Sequence, residues 1–186
     1  LPEAFSGLRI VQISDLHGRV FGKEHAALLS AVRAAKPDFI AITGDLADED
    51  TALPSLRPLL AGLTALAPVY YVTGNHEWVI SRAVRQTLCD LLDGYGVIRL
   101  ENDYRVLERD GQRLVIAGVD DPNGPADQKT APELVREIRS AYGEDVFILA
   151  LCHRNDQLPL WAGLDVPVVL AGHAHGGIVR LPGLGG

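Results

Sequence analysis

Apolar, strand-like runs alternate with helical patterns along most of the sequence. The strand-like runs occupy residues 8–14, 37–43, 68–73, 145–152 and 166–171. The helical patterns lie mostly between them, at residues 24–36, 51–67, 78–93, 130–143 and 156–164. Strands that alternate with helices are typical of a largely parallel, buried sheet. A hairpin pattern at residues 104–119, which turns around Asp110 and Gly111, adds an antiparallel part, so the sequence predicts a layered α/β fold.

The size and composition of the chain fit one globular domain. With 186 residues, 47% of them hydrophobic and 22% charged, the chain is long enough to bury a sizeable core, and we expect residues 1–186 to form a single domain. The formal net charge of −7 argues against broad electrostatic binding to nucleic acid or to an anionic membrane. Cys89 and Cys152 are too few for a disulfide framework or a Cys-rich zinc site. An anionic substrate would therefore need help from a bound cation.

Polar residues with metal-ligand chemistry follow five of the predicted strands. In chain order they are Asp15 and His17, Asp45, Asn75 and His76, His153, and finally His173 and His175. Because ligands of open α/β sheets bind at the carboxyl ends of the strands, we expect these side chains to meet at one edge. Residues two apart on an extended chain project to the same side. The spacing therefore predicts that Asp15 aims with His17, and His173 with His175, at a common point.

The mixture of residue types at these strand ends indicates a metal site. A lone Gly-Asp or Gly-Asn pair is usually a turn, and a lone histidine at a strand end is usually a hydrogen-bonded rim residue. Five strand ends that together carry Asp, Asn and His are hard to explain in that way, and they hold five of the six histidines of the chain. Divalent transition metals accept imidazole and carboxylate ligands together. The sequence therefore predicts a metal centre.

The ordered set of motifs D-x-H, G-D, G-N-H-E, a strand-borne H and G-H-x-H resembles the calcineurin-like metallophosphoesterase superfamily, over residues 9–180. The stretches "SDLHGRVFGK", "PDFIAITGDLAD", "PVYYVTGNHEW" and "GHAHGGIVRLP" are similar to the YkuE-like bacterial phosphoesterase branch. The resemblance implies an α/β/β/α sandwich with a mixed, largely parallel sheet. Because such proteins continue for several strands beyond G-H-x-H, we expect the C-terminal strands of the fold to be missing here.

The same resemblance implies a centre of two divalent metal ions. One ion would be held by Asp15, His17, Asp45 and His175. The other would be held by Asp45, Asn75, His153 and His173. Asp45 would bridge the two ions, because a carboxylate offers two oxygens. The mixed nitrogen and oxygen shell admits Mn, Fe, Zn, Ni or Co.

The resemblance also implies a reaction and a catalytic residue. His76, next to a ligand but not a ligand itself, would contact the scissile phosphate or the leaving-group oxygen. The implied reaction is hydrolysis of a small or lipid-linked phosphomonoester or phosphodiester, by in-line attack of a hydroxide that bridges two metals. Arg19 is a candidate substrate-binding residue, although an exposed, salt-bridging arginine is the simpler interpretation. No nucleic-acid partner is expected.

Other functions and locations stay open at this point. The chain could be a non-catalytic binding or scaffolding module on the same fold, or a dinuclear metallohydrolase of another bond, such as an amide. An intact His76 and a full ligand set favour a phosphoesterase. YkuE-like proteins often carry an N-terminal export or membrane segment, and the chain begins at Leu1 and lacks methionine, so a removed membrane anchor is one expectation and a cytoplasmic location the alternative.

The remaining candidates have simpler interpretations. Arg154, like Arg19, could reach a phosphate, although an exposed ion pair is the simpler interpretation. We expect Cys152 to be a small buried hydrophobic residue, because strand alternation points it away from His153. His25 lies in a helical pattern and is expected at the surface or rim. Trp78 and Trp161 are expected to pack in the core or at its rim.

Overall fold

Two four-stranded sheets form the centre of the computed structural model, which describes residues 1–175. In the first sheet, all neighbours are parallel and the order is β1 (Ile10–Ile13), β2 (Phe39–Thr43), β3 (Val69–Val72) and β4 (Ile98–Arg99). The second sheet consists of β5 (Asp103–Arg109), β6 (Gln112–Gly118), β7 (Phe147–Leu151) and β8 (Val168–Leu170). Its β5–β6 pair is an antiparallel hairpin and its other pairs are parallel, so the predicted hairpin and mixed pairing are confirmed.

Helices cover the outer faces of both sheets. Residues of α1 (Ala26–Ala35), α2 (Arg57–Thr64) and α4 (Arg82–Gly94) pack on the first sheet. Residues of α5 (Ala131–Tyr142) and α6 (Leu158–Gly163) pack on the second, and α3 (Asn75–Val79) is a short helix after β3. Within residues 1–175, no helix has the length and apolarity that crossing a membrane would require.

Besides the apolar layers between each sheet and its helices, a third apolar layer lies between the two sheets. Phe39 and Tyr70 of the first sheet, with ring centroids 5.4 Å apart, belong to the same buried cluster as Leu114 and Leu149 of the second. Two stacked sheets with helices on each outer face make an α/β/β/α sandwich, so the predicted fold class is confirmed. The expectation of missing C-terminal strands concerns chain beyond the described residues and stays a prediction.

The helix predicted for residues 78–93 is two helices in the structure. The first, α3, ends at Val79, and the chain is extended at Ile80 and Ser81 before α4 begins. The Ser81 side chain accepts a hydrogen bond from the backbone N–H of Val84 at 3.3 Å, which caps the new helix. Apolar periodicity runs through both segments, and the cap at Ser81 is the local signal that separates them.

Hydrogen bonds join the loops at the carboxyl edge of the two sheets. The side-chain amide of Gln12 donates to Thr43 Oγ1 and to the Ala171 carbonyl, both at 2.9 Å, and so connects the first sheet to the end of β8. The backbone N–H of Gly172 donates to the His153 carbonyl at 3.0 Å. These contacts bring the strand-end loops of both sheets to one place.

Candidate metal centre

The side chains that the sequence predicts as metal ligands lie together at this edge. Two ligand groups share Asp45: the first contains Asp15, His17, Asp45 and His175, and the second contains Asp45, His153 and His173. In each group, one potential ligand atom per residue lies within 4.8 Å of all the others. Asn75 adjoins the second group, because its Oδ1 lies 3.0 Å from His153 Nε2.

The spacing and chemistry of the donor atoms fit divalent metal ions. His153 Nε2 lies 3.1 Å from His173 Nδ1 and 3.2 Å from Asp45 Oδ2. In the first group, His17 Nε2 lies 3.4 Å from His175 Nε2 and 3.7 Å from Asp45 Oδ2. Metal–ligand bonds of about 2.1 Å place neighbouring ligands of one ion about 3.0 to 3.4 Å apart. The second group therefore has the spacing of ligands of one ion, the first group is slightly wider, and both have the imidazole and carboxylate donors that transition metals accept.

Left-handed backbone conformations present many of these side chains. The φ angle is 55° at Asp15, 48° at His17, 50° at Asp45, 70° at His173 and 50° at His175. The predicted reason for each D-x-H or H-x-H pair, alternation along an extended chain, is therefore wrong. Each loop instead turns sharply after its strand. Such conformations are uncommon for residues other than glycine, and they concentrate at functional sites.

Two glycines let the loops after β2 and β3 approach each other closely. Gly44 has a φ of 85°, and a Cβ atom there would lie 2.6 Å from the Gly74 Cα and from His153 Nδ1. A Cβ atom on Gly74 would lie 2.2 Å from Asp45 Oδ1. A larger residue at either position would push Asp45 or His153 out of place.

A backbone hydrogen bond fixes the orientation of His153. Its Nδ1 lies 2.9 Å from the Thr43 carbonyl oxygen, and the ring is buried. Burial lowers the pKa of His153, but hydrogen bonds to Asp45 and to the Thr43 carbonyl outweigh it, so the pKa lies above its usual value. Because the carbonyl keeps the proton on Nδ1, loss of the Nε2 proton leaves a lone pair directed at the second ligand group. The hydrogen bond thus selects the tautomer that can bind a metal.

The protonation preferences of Asp45 and His173 also suit metal binding. Burial raises the pKa of Asp45, but hydrogen bonds from His153 and from the backbone N–H of His76 outweigh it, so the pKa lies below its usual value. Burial, together with the charges of His153 and Arg154, lowers the pKa of His173. The carboxylate is therefore anionic and the His173 ring neutral near pH 7.

Glu77 supports the site, although its place in the sequence predicted no role for it. Its carboxylate is fully buried and accepts hydrogen bonds from the backbone N–H groups of Asp45 at 3.0 Å, Ala47 at 3.0 Å and Gly74 at 2.7 Å. Burial raises the pKa of Glu77, although these N–H groups favour the charged form. The signal was present in G-N-H-E, because Glu77 occupies the third position of α3, where a carboxylate can cap the helix.

Glu77→Gln is expected to lower both thermal stability and metal affinity. The glutamine NH₂ group would face at least one of the three backbone N–H groups, leaving the Asp45 and Gly74 loops less firmly held. Loss of such outer partners typically weakens metal binding about 10- to 100-fold. Metal titration and thermal melts check this, with Glu133→Gln as the control, since Glu133 caps the exposed start of α5 in the same way. Wild-type metal affinity in Glu77→Gln would contradict the role.

His76 and Arg19 lie beside the ligand groups. The His76 ring stands edge-on to the His17 ring with centroids 4.6 Å apart, and its side chain is 37% exposed. Arg19 is exposed and lines an open cavity together with Asp15 and His175. Within residues 1–175 Arg19 makes no ion pair, and its guanidinium carbon lies 6.0 Å from the centroid of the Phe21 ring.

Three residues that were expected to pack in the core or at its rim do so, whereas His25 does not lie at the surface. Cys152 and Trp161 are buried, and Trp78 is half-buried with its indole N–H donating to Thr73 Oγ1 at 2.9 Å, as expected for packing residues. The expectation for His25 is wrong. This ring is fully buried, with Nε2 3.2 Å from the Ser55 carbonyl, because a turn before α1 directs it inward.

Arg154 forms the expected ion pair, but it is only partly exposed and its partner, Asp121, is buried. Its Nε lies 2.6 Å from Asp121 Oδ2 and its Nη2 lies 3.2 Å from Asp121 Oδ1, and the Asp121 side chain is fully buried. The remaining guanidinium nitrogen, Nη1, lies 3.4 Å from His173 Nε2. The arginine therefore belongs to the surroundings of the second ligand group.

Some known proteins are similar to this chain in sequence and others in fold. The metallophosphoesterase YkuE of Bacillus subtilis is 30% identical over 191 residues, which cover 98% of this chain and 63% of YkuE. The "Transmembrane protein with metallophosphoesterase domain" of Danio rerio is 29% identical over 95% of this chain and 42% of its own length. The NAD nucleotidase NadN of Haemophilus influenzae has a similar fold, with a TM-score of 0.61, 17% identity, and coverage of 90% of this chain and 38% of NadN.

These matches cover most of this chain but only part of its relatives, so they establish the family and not the function of a whole protein. The chain spans about 63% of the length of the Bacillus subtilis relatives it matches. The family profile described as calcineurin-like phosphoesterase matches residues 8–177, which include the whole described ligand set. This chain therefore belongs to the calcineurin-like phosphoesterase family, and its similarity to YkuE places it with that bacterial branch.

Proposed function

We propose that this domain hydrolyses phosphomonoesters or phosphodiesters with two divalent metal ions. The observation that carries the proposal is the position of Asp45, which belongs to both ligand groups and is almost fully buried between them. Its Oδ2 lies 3.2 Å from His153 Nε2 and 3.7 Å from His17 Nε2, so this one oxygen is near both groups, whereas each histidine offers one nitrogen to one group. Family membership supports the same reaction class.

The proposed ligand roles follow the two groups. Asp15, His17, Asp45 and His175 would hold one ion. Asp45, Asn75, His153 and His173 would hold the other. When bound, a metal pair of this kind activates water as a nucleophile and neutralises the oxygens of the phosphoryl group. Positive charge at this edge also explains how a chain with a net charge of −7 could bind an anionic ester.

His76 is the proposed proton donor to the leaving group. Its backbone N–H is held by Asp45 Oδ1 at 2.9 Å, whereas its half-exposed ring is free to reach a substrate bound at the ligand groups. The carboxylate of Glu49 lies 3.8 Å from His76 Nδ1 and would stabilise the protonated ring. Proton donation of this kind typically contributes about 10²- to 10⁴-fold to the rate.

The proposed substrate is a small or lipid-linked phosphate ester. NadN is named for acting on NAD, and Mycobacterium tuberculosis PptH, with a TM-score of 0.53 and 17% identity, is named a phosphopantetheinyl hydrolase. Both names refer to molecules that carry phosphate, which supports a phosphate-containing substrate for this chain. The transmembrane relative of Danio rerio supports membrane association for some proteins with this domain, and membrane association of this chain stays a prediction.

Chromogenic esters test the proposal directly. Metal-free protein, loaded in turn with Mn, Fe, Zn, Ni or Co, should release p-nitrophenol from p-nitrophenyl phosphate or from bis-p-nitrophenyl phosphate, and chelation should abolish release. Metal analysis should give two equivalents per chain. Two bound ions without turnover of either ester would favour a binding module, and cleavage of a p-nitroanilide alone would favour a hydrolase of amide bonds.

A further inference from the structure

We propose that Arg154, held in place by buried Asp121, binds a non-bridging phosphate oxygen of the substrate beside the second ligand group. The proposal rests on the phosphoesterase function above and adds a substrate-binding residue and a positioning residue to it. From the sequence, an exposed ion pair was the simpler interpretation of Arg154 and a phosphate contact the alternative. In the structure, two of its guanidinium nitrogens pair with Asp121 and the third faces His173.

Two of the three guanidinium nitrogens of Arg154 are committed to Asp121. The pair is bidentate, through Nε and Nη2, and a two-point contact fixes the plane of the guanidinium. Asp121 is itself held, because its backbone N–H lies 3.2 Å from Thr73 Oγ1 and its Oδ1 accepts the Asn123 N–H at 2.9 Å. Arg154 therefore presents its third nitrogen in one fixed direction.

The third nitrogen, Nη1, faces His173, and when His173 binds a metal these two groups lack a hydrogen-bond acceptor between them. His173 Nδ1 lies inside the second ligand group, 3.1 Å from His153 Nε2, whereas His173 Nε2 lies 3.4 Å from Arg154 Nη1. A neutral imidazole that ligates through Nδ1 carries its proton on Nε2. Two N–H donors would then face each other without an acceptor. A single oxygen atom within reach of both donors would accept a hydrogen bond from each.

Phosphate is the ligand that suits this pair of donors. It has several anionic oxygens, so that one can accept from Arg154 and His173 while others face the metal ligands. The Arg154 side chain is 23% exposed, so solvent reaches part of it. A lysine could pair with Asp121 as a point charge but could not hold a planar fork and direct a third donor.

Calorimetric titration of metal-loaded protein with inorganic phosphate tests the proposal without relying on turnover. Charged hydrogen bonds are strong enough that Arg154→Gln and Arg154→Lys should each weaken phosphate binding about 10-fold or more. Metal content should be unchanged in both. The control is Arg113→Gln, because Arg113 is an exposed arginine that pairs with Glu108 on the hairpin. If Arg154→Gln fails to fold, Arg154→Lys carries the test, since it keeps a cation beside Asp121.

Asp121→Asn tests the positioning role. It releases the guanidinium without removing it. Phosphate affinity should therefore fall and KM should rise, as in Arg154→Lys. Because the two residues act as one unit, the double variant should lose little more affinity than either single variant. Independent, additive losses would contradict positioning by Asp121.

The results that overturn the proposal are distinct from failure of the proposed function. Phosphate affinity within twofold of the wild type in a fully metal-loaded Arg154→Lys protein would overturn it, as would a metal-loaded wild type that binds no phosphate. If the wild type binds phosphate in an Arg154-dependent way but cleaves no ester, the function fails and the phosphate site stands.

Discussion

Asp45→Asn is expected to cause the largest loss of metal and activity among single ligand substitutions. The amide oxygen can still accept the His76 N–H, as Asp45 Oδ1 does at 2.9 Å. The amide NH₂ would then replace Oδ2, which lies 3.2 Å from His153 Nε2 and 3.7 Å from His17 Nε2. A donor group at that point cannot ligate either ion, and it removes one negative charge from both groups.

Metal analysis and kinetics on the purified variant measure this effect. Loss of outer partners alone costs about 10- to 100-fold in metal affinity or activity, so loss of a shared ligand should cost at least that much. Asp50→Asn is the matched control, because Asp50 is an exposed aspartate on the loop after β2. Two full equivalents of metal in folded Asp45→Asn protein would rule out the bridging role.

The sequence predicted the elements of the fold better than their division into sheets. Strands such as β2 and β3 are buried at every residue, so their apolar runs contain no alternation that tells one sheet face from the other. For the same reason, the apolar run of a strand does not predict which of the two sheets it joins. The β5–β6 hairpin, in contrast, has a turn at Asp110 and Gly111, and local turn chemistry is readable from sequence.

The ligand residues could be found from sequence because each follows a strand, but the way the chain presents them could not. The left-handed conformations of Asp15, Asp45 and His173 depend on contacts with loops far away in sequence. One such contact is the pair of hydrogen bonds from the His173 N–H to the Asp15 carboxylate, at 3.0 and 3.2 Å. Spacing along one strand end contains no record of a contact across 158 residues.

The supporting residues were missed for a related reason. Glu77 and Asp121 have buried carboxylates that bond to partners on other loops, whereas a lone carboxylate in a sequence is most often exposed. His25 was misplaced because a helical pattern indicates which residues share a face, but the turn before α1 removes His25 from that pattern. Local periodicity in the sequence does not predict the environment of residues that pack against distant parts of the chain.

His76→Ala is expected to separate catalysis from metal binding. The substitution keeps the backbone N–H that donates to Asp45, so the ligand groups and their metal content should be preserved. It removes the half-exposed ring that we propose as the proton donor, and turnover should fall about 10²- to 10⁴-fold. Metal analysis, thermal melts and steady-state kinetics on the same preparation measure the three quantities together.

The choice of substrate distinguishes proton donation from a merely structural role of His76. A leaving group such as p-nitrophenolate departs readily without a proton, whereas an alkoxide needs one. His76→Ala should therefore lose more activity toward an alkyl phosphate than toward p-nitrophenyl phosphate. An equal loss for both substrates would indicate that the ring positions the phosphate instead of protonating the leaving group. A large loss of metal in folded His76→Ala protein would mean that His76, and not Asn75 alone, holds an ion.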